Sequence, residues 1–129
     1  MDWKFRNDIP IYTQLVEQIK LGIVSGVFAP GERLQSVRDM SMEAGVNPNT
    51  MQRALQELER QGLVYSQRTA GRFVSGDSVI IAEAKKALAK SHIEDFIESM
   101  KKIGFQSEEM LSLLRESLKE ENLDGDTQM

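Results

Sequence analysis

The chain has 129 residues, 40% apolar and 28% charged, with no cysteine and a net charge of −4. That size suits one domain or a small domain with an appendage, and the composition is that of a folded globular chain. The lack of cysteine excludes disulfides, thiolate zinc sites and a cysteine nucleophile. Charge is spread unevenly: residues 1–75 hold 9 Lys/Arg against 8 Asp/Glu, and residues 76–129 hold 7 against 12. The acidity belongs to the tail, so a polyanion-binding surface in the first part must come from where its cations sit. The opening "MDWKFRNDIP" has no apolar run behind a basic start. The longest aliphatic stretch, "VIIA" at 79–82, is far short of the roughly 20 residues that span a bilayer. A soluble cytoplasmic protein without membrane contact is the simplest expectation.

In chain order, Trp3 and Phe5 alternate with charged residues and read as a short extended lead-in. A first helix follows, with Ile11, Leu15, Ile19 and Ile23 at helical spacing beside Val16 and Leu21, Asp8 as its cap and Gly26 as its stop. Pro30-Gly31 signals a turn. A second helix starts after Ser36, whose spacing to Asp39 resembles a capping box, and its face is Val37, Met40 and Ala44. Gly45 ends it, and a third helix begins about three residues later, the spacing of a helix-turn-helix. After Gly62, "LVYS" and "RFVS" flank "QRTAG" as a β-hairpin. Three helices and a hairpin are the parts of a winged helix. From Asp77 the pattern is again helical. Ile81, Ala84, Leu88, Phe96, Met100 and Ile103 form a stripe, widened by Ile93 and Ile97, as far as Gly104. Ser107 is expected to cap a last helix whose apolar face is Met110, Leu111, Leu114 and Leu118. The expected fold is therefore mainly α with a small β-hairpin: a winged helix-turn-helix over 1–75 and two C-terminal helices over 76–129.

The third helix carries the main functional signal. Asn47 suits the N-cap and Pro48 the first helical position. Asn49 and Thr50 are mediocre helix formers whose presence a helix start does not explain. With Met51, Ala54, Leu55 and Leu58 facing inward, Asn49, Arg53, Gln56 and Arg60 fall within about 60° of one another on the outer side. No acid lies among them; Glu57 and Glu59 sit toward the edges. Amide and guanidinium groups in that position suit base edges and phosphates in a major groove. A solvated polar face is the bland alternative for this helix taken alone. Arg38 before it, and Arg68 and Arg72 on the wing, surround the same side and favour DNA binding.

The stretch "IPIYTQLVEQIKLGIVSGVFAPGERLQSVRDMSMEAGVNPNTMQRALQELERQGLVYSQRTAGRFV" resembles the DNA-binding domain of the GntR family of bacterial transcription regulators. The likeness runs from 9 to 74 almost without gaps and includes "PIYTQL", "APGERLQSVRDM", "GVNPNT", "ALQELERQGLV" and the wing glycine Gly71. It implies DNA contacts at Arg38, Asn47, Asn49, Thr50, Arg53, Arg68, Gly71 and Arg72. Pro48 and Gln52 stand where some members have arginine, so those members' base contacts do not transfer. The 54-residue tail resembles that of the YtrA subfamily. That likeness implies dimerisation through the tail and regulated genes that often encode ABC transporters. Physically, two amphipathic helices are too few to enclose a ligand cavity, but they can bury apolar stripes against a second copy. The seam residues expected are Ile81, Ala84, Leu88, Phe96, Met100, Leu111, Leu114 and Leu118.

His92 is the only histidine, and without a partner at helical spacing it gives no metal site. No catalytic motif, P-loop or GxGxxG is present, so neither an enzyme nor a cofactor is expected. The favoured function is a homodimeric repressor that binds double-stranded DNA at an inverted repeat. A small-molecule effector at the dimer seam is the corresponding expectation for its control, though no pocket is legible. The alternative is a winged helix serving as a protein-interaction module with the acidic tail as docking surface.

Overall fold

The computed structural model describes the backbone of residues 1–128 and the side chains of residues 1–122. In chain order it holds α1 (Ile11–Val24), α2 (Val37–Ala44), α3 (Pro48–Arg60), β1 (Val64–Gln67), β2 (Gly71–Val74), α4 (Ser78–Ile103) and α5 (Ser107–Gln128). It divides into two compact units, Met1–Lys86 and Ala87–Met129.

The first unit is a winged helix. Its core is made by Leu15, Ile19 and Ile23 of α1, Met51, Leu55 and Leu58 of α3, and Leu63, Val64 and Val74 of the hairpin, all essentially inaccessible to solvent. These are the residues that helical and strand periodicity places inward, with one exception: Leu21 is 56% exposed. The antiparallel hairpin pairs Val64 with Val74 and Gln67 with Gly71. The segment after the Pro30-Gly31 turn runs beside β2 through an isolated bridge. Arg33 bridges to Phe73, the Val74 N–H donates to the Glu32 carbonyl at 2.8 Å, and the Leu34 N–H donates to the Arg72 carbonyl at 2.9 Å.

The lead-in is held by two glutamines of α1. Gln14, 6% exposed, accepts from the Arg6 N–H at 2.7 Å and donates to the carbonyls of Arg6 and Ile9, each at 2.8 Å. One turn later Gln18 donates to the Lys4 carbonyl at 2.6 Å. A buried amide satisfied on both ends offsets its desolvation. This pins Trp3 and Phe5, stacked with centroids 6.2 Å apart, against the core. Asp8 does not cap α1: its carboxylate is engaged by Arg6 at 2.6 Å, and α1 starts from Pro10 without a side-chain cap.

Residues 78 onward begin α4 under a side-chain cap, Asp77 accepting from the Val79 N–H at 2.9 Å. Ile80, Ile81 and Ala84 pack against the winged-helix core, which is why the first compact unit runs past residue 75 into the helix. In the second unit, Gly104 (φ +104°) ends α4. Ser107 is the first residue of α5 and not its cap; instead Glu109 reaches back to the Gln106 N–H at 3.1 Å. No side chain of α4 is fully buried, and Met110 is the buried apolar side chain of α5 among the described residues.

Candidate nucleic-acid interface

The recognition end is built by two capped helices and a tight turn. Ser36 accepts from the Asp39 N–H at 3.1 Å, fixing the start of α2 and placing Arg38 in its exposed first turn. Gly45 takes φ +70°, a left-handed conformation that other residues adopt only with strain. Asn47 then accepts from the Asn49 N–H at 2.8 Å, with Pro48 as the first helical residue. The cap occupies the Asn47 side-chain oxygen, and its amide nitrogen has no hydrogen-bond partner among the described residues. Asn47 and Asn49 are exposed and Thr50 is half-buried.

Farther along α3, Arg53 and Gln56 are exposed on the outer side, while Met51, Ala54, Leu55 and Leu58 are fully buried opposite. Arg53 lies across the Tyr12 ring of α1. Arg60 is paired with Glu57 through both its Nε and its Nη2. The Arg60 hydrogen bond, followed by that of Gln61, lowers the Glu57 carboxyl from 4.5 to about 2. Arg60 is thus partly neutralised, whereas Arg53 makes no ion pair among the described residues.

The wing separates the arginines into two kinds. Arg68 stands exposed in the loop between β1 and β2. Gly71 has φ +102°, and a Cβ there would come within 3.3 Å of Arg33 Nε. Glycine thus permits both the turn and the close passage of the Arg33 guanidinium. Arg72, by contrast, is turned inward: its Nε donates to Glu59 at 2.7 Å and its Nη1 to Gln52 at 3.2 Å, with 18% of its side chain exposed. Burial pushes the Glu59 carboxyl up, but hydrogen bonds from Ser66 and Arg72 outweigh it and leave it below the usual carboxylate range.

Two features of this surface escape sequence reading. Arg33 belongs to it through an isolated β-bridge to Phe73, a long-range contact without a local signal. The inward turn of Arg72 depends on Glu59 being thirteen residues away yet adjacent in space.

The seam residues expected from the sequence divide by unit. In the first unit, Ile81 and Ala84 pack on the winged-helix core; Leu88, half-buried, already belongs to the second. In the second unit, Phe96, Leu111, Leu114 and Leu118 are 37%, 58%, 42% and 52% exposed, with Met100 half-buried. An open apolar groove of about 580 Å³ lies between α4 and α5, lined by Ile93, Phe96, Ile97, Met110, Leu111 and Leu114, with His92 at its edge. The two helices flank this volume without enclosing it. Among the described residues, no cluster of acids and histidine suits a metal ion, and no helix is long and apolar enough to cross a membrane.

Residues 11–74 match the family model of bacterial regulatory proteins, gntR family. Over 111 residues, 86% of this chain and 92% of the other, the sequence is 40% identical to the HTH-type transcriptional regulator YhcF of Bacillus subtilis. It is 30% identical over 112 residues, 86% of each chain, to the HTH-type transcriptional repressor YtrA of the same organism. A GntR family transcriptional regulator from Listeria monocytogenes superposes with a TM-score of 0.80 at 35% identity, over 87% of this chain and 98% of that one. The DNA-binding domain of AraR in complex with operator ORX1 superposes with a TM-score of 0.53 at 28% identity, over 58% and 96% of the two chains. The relatives are transcription regulators and not enzymes. Winged helix, recognition-helix geometry and the match across most of the chain agree: this protein belongs to the GntR family of helix-turn-helix, DNA-binding transcription regulators, with the short two-helix tail of its YtrA-like members.

Proposed function

We propose that the protein is a cytoplasmic, homodimeric repressor that occupies an inverted-repeat operator, each protomer placing the front of α3 in a major groove. The observation that carries this reading is the outer face of α3. Asn47, Asn49, Arg53 and Gln56 are open to solvent in front of a fully buried opposite face, with exposed Arg38 and Arg68 on the flanking elements. Amides at the helix tip read base edges, and arginines beside it hold phosphates and set register. The tail, residues 76–129, supplies the dimer contact. Support comes from the exposed apolar side chains of α4 and α5, which a second copy of the same surface can cover in an isologous interface. By likeness to YtrA-like members, transporter genes are the expected targets. A protein-interaction module is the weaker reading, because the outer stripe of α3 has no aromatic or aliphatic anchor of the kind that dominates protein interfaces.

The test is selection from fragmented genomic DNA of the source organism with purified protein at moderate salt. Enrichment of an inverted repeat supports the dimeric reader and gives its half-site spacing. A folded protein that enriches nothing would refute it.

A further inference from the structure

Arg33, Arg38, Arg53 and Arg68 are all exposed; Arg72 is not, and its guanidinium is engaged within the protein. One arm reaches Glu59 and the other reaches the Gln52 carbonyl oxygen, both on α3. Glu59 also accepts from Ser66 on the opposite strand. Both strands of the wing are thereby tied to the recognition helix at one place.

The consequence falls on Gln52. A glutamine amide has one acceptor oxygen and two N–H donors. When free to turn in a major groove, it uses both ends on adenine, accepting from N6–H and donating to N7. Here the oxygen is turned to Arg72. Among the described residues no buried side-chain nitrogen or oxygen lacks a partner, and the Gln52 amide nitrogen donates to none of them, so solvent reaches it. Gln52 lies about 40° around the helix from Gln56 and about 60° from Asn49, at the wing-side edge of the outer stripe.

We propose that Arg72 is a positioning residue and not a DNA contact: it fastens the wing to α3 and fixes the Gln52 amide with its N–H groups outward, so that Gln52 favours guanine. Guanine offers two adjacent acceptors, O6 and N7, whereas adenine sets a donor beside its N7 and loses the paired fit. The inference rests on the DNA-binding reading above.

The test is sequence selection and salt-dependent binding with wild type, Gln52→Ala, Arg72→Met, Arg72→Lys and the Gln52→Ala/Arg72→Met double variant, each checked for folding by circular dichroism. Wild type should enrich guanine at one position per half-site, and Gln52→Ala should lose that preference. Arg72→Met should admit adenine at the same position with an unchanged salt slope, and the double variant should match Gln52→Ala alone. Arg72→Lys keeps the charge but not the planar fork, so it should behave like Arg72→Met; with Gln52→Ala it carries the test if Arg72→Met does not fold. Unchanged base preference, with a salt slope lower by about 1 in Arg72→Met and restored in Arg72→Lys, would make Arg72 a phosphate contact and overturn this inference alone. A wild-type protein that enriches no sequence would overturn the DNA-binding reading and this inference with it.

Discussion

The guanidinium of Arg53 lies over the ring of Tyr12, its Cζ 4.8 Å from the centroid. The contact joins α3 to α1 and holds the Arg53 cation of the outer stripe at a defined place. An exposed cation–π pair contributes about 0.5–1 kcal/mol. Tyr12→Leu should lower the unfolding free energy by about 0.5–1 kcal/mol more in the wild type than in an Arg53→Met background. Urea denaturation of the four proteins measures the coupling directly. An equal cost in both backgrounds would assign the loss to tyrosine packing and remove the pair from the account.

Asn47 performs the capping duty that its place at the helix tip predicts. Its side chain satisfies the Asn49 N–H, one of the donors left open at a helix start. Asn47→Ala should cost about 1 kcal/mol of stability, while Asn47→Ser, which keeps a capping oxygen, should cost much less. If Asn47→Ala weakens DNA binding without moving the denaturation midpoint, the cap is not a stabilising element and its amide acts only on DNA.

Glu57 makes stability depend on acid. Its carboxyl is held at about 2, below 4.5, by hydrogen bonds from Arg60 and then Gln61. A depressed folded value means that the charged form is favoured in the native state. The contribution is fully present above pH 4.5 and is lost as pH falls toward about 2. Glu57→Gln should flatten the decline in unfolding free energy across that window, read by urea titrations at several pH values. Solvent screens the pair, so the effect should be modest and shrink at high salt. Identical pH profiles for the two proteins would show that the pair does not persist in solution.

Arg38 and Asn49 should fail in different ways. Arg38 stands exposed in the first turn of α2, and the DNA-binding function proposed above would have it hold a phosphate. Arg38→Ala should weaken binding to cognate and scrambled DNA alike and lower the salt slope by about 1. Asn49→Ala should spare scrambled DNA and relax preference at one base pair per half-site, by about 1–3 kcal/mol. Fluorescence anisotropy on matched duplexes separates the two patterns. Equal losses on both duplexes for Asn49→Ala would remove it from the base-reading set.

Local signals made most of the winged helix legible. The buried face of α3, the Asn47 cap, the Ser36 cap and the hairpin follow from spacing and residue chemistry over a few positions. What escaped was set by contacts distant in sequence. Gln14 and Gln18 hold the lead-in backbone, a role for which no local pattern in the sequence gives a signal. Asp8 has the chemistry of a cap, but Arg6 takes its carboxylate. Ile81 and Ala84 share the helical stripe of the tail, yet the winged-helix core covers them; periodicity gives a face without saying which neighbour meets it. The same limit applied to Arg72, whose residue type suggested a wing contact while its carboxylate partner lay on another element.

The tail offers the clearest separation of assembly from folding. Leu111 and Leu114 are 58% and 42% exposed and line the groove between α4 and α5. Exposed leucines on a single protomer lose little when replaced by charge, whereas leucines at the centre of a dimer seam meet a desolvation cost of several kcal/mol per buried carboxylate. On the dimer proposed above, the wild type should run as a dimer in sedimentation equilibrium and a Leu111→Glu/Leu114→Glu variant as a monomer, with helical content retained by circular dichroism. Its affinity for a full inverted repeat should fall toward that for a single half-site, because the second head no longer benefits from the effective concentration that linkage gives. Wild-type and variant proteins of the same mass would show that these side chains do not form the seam. Loss of the dimer without loss of affinity for the full operator would show instead that each head binds on its own.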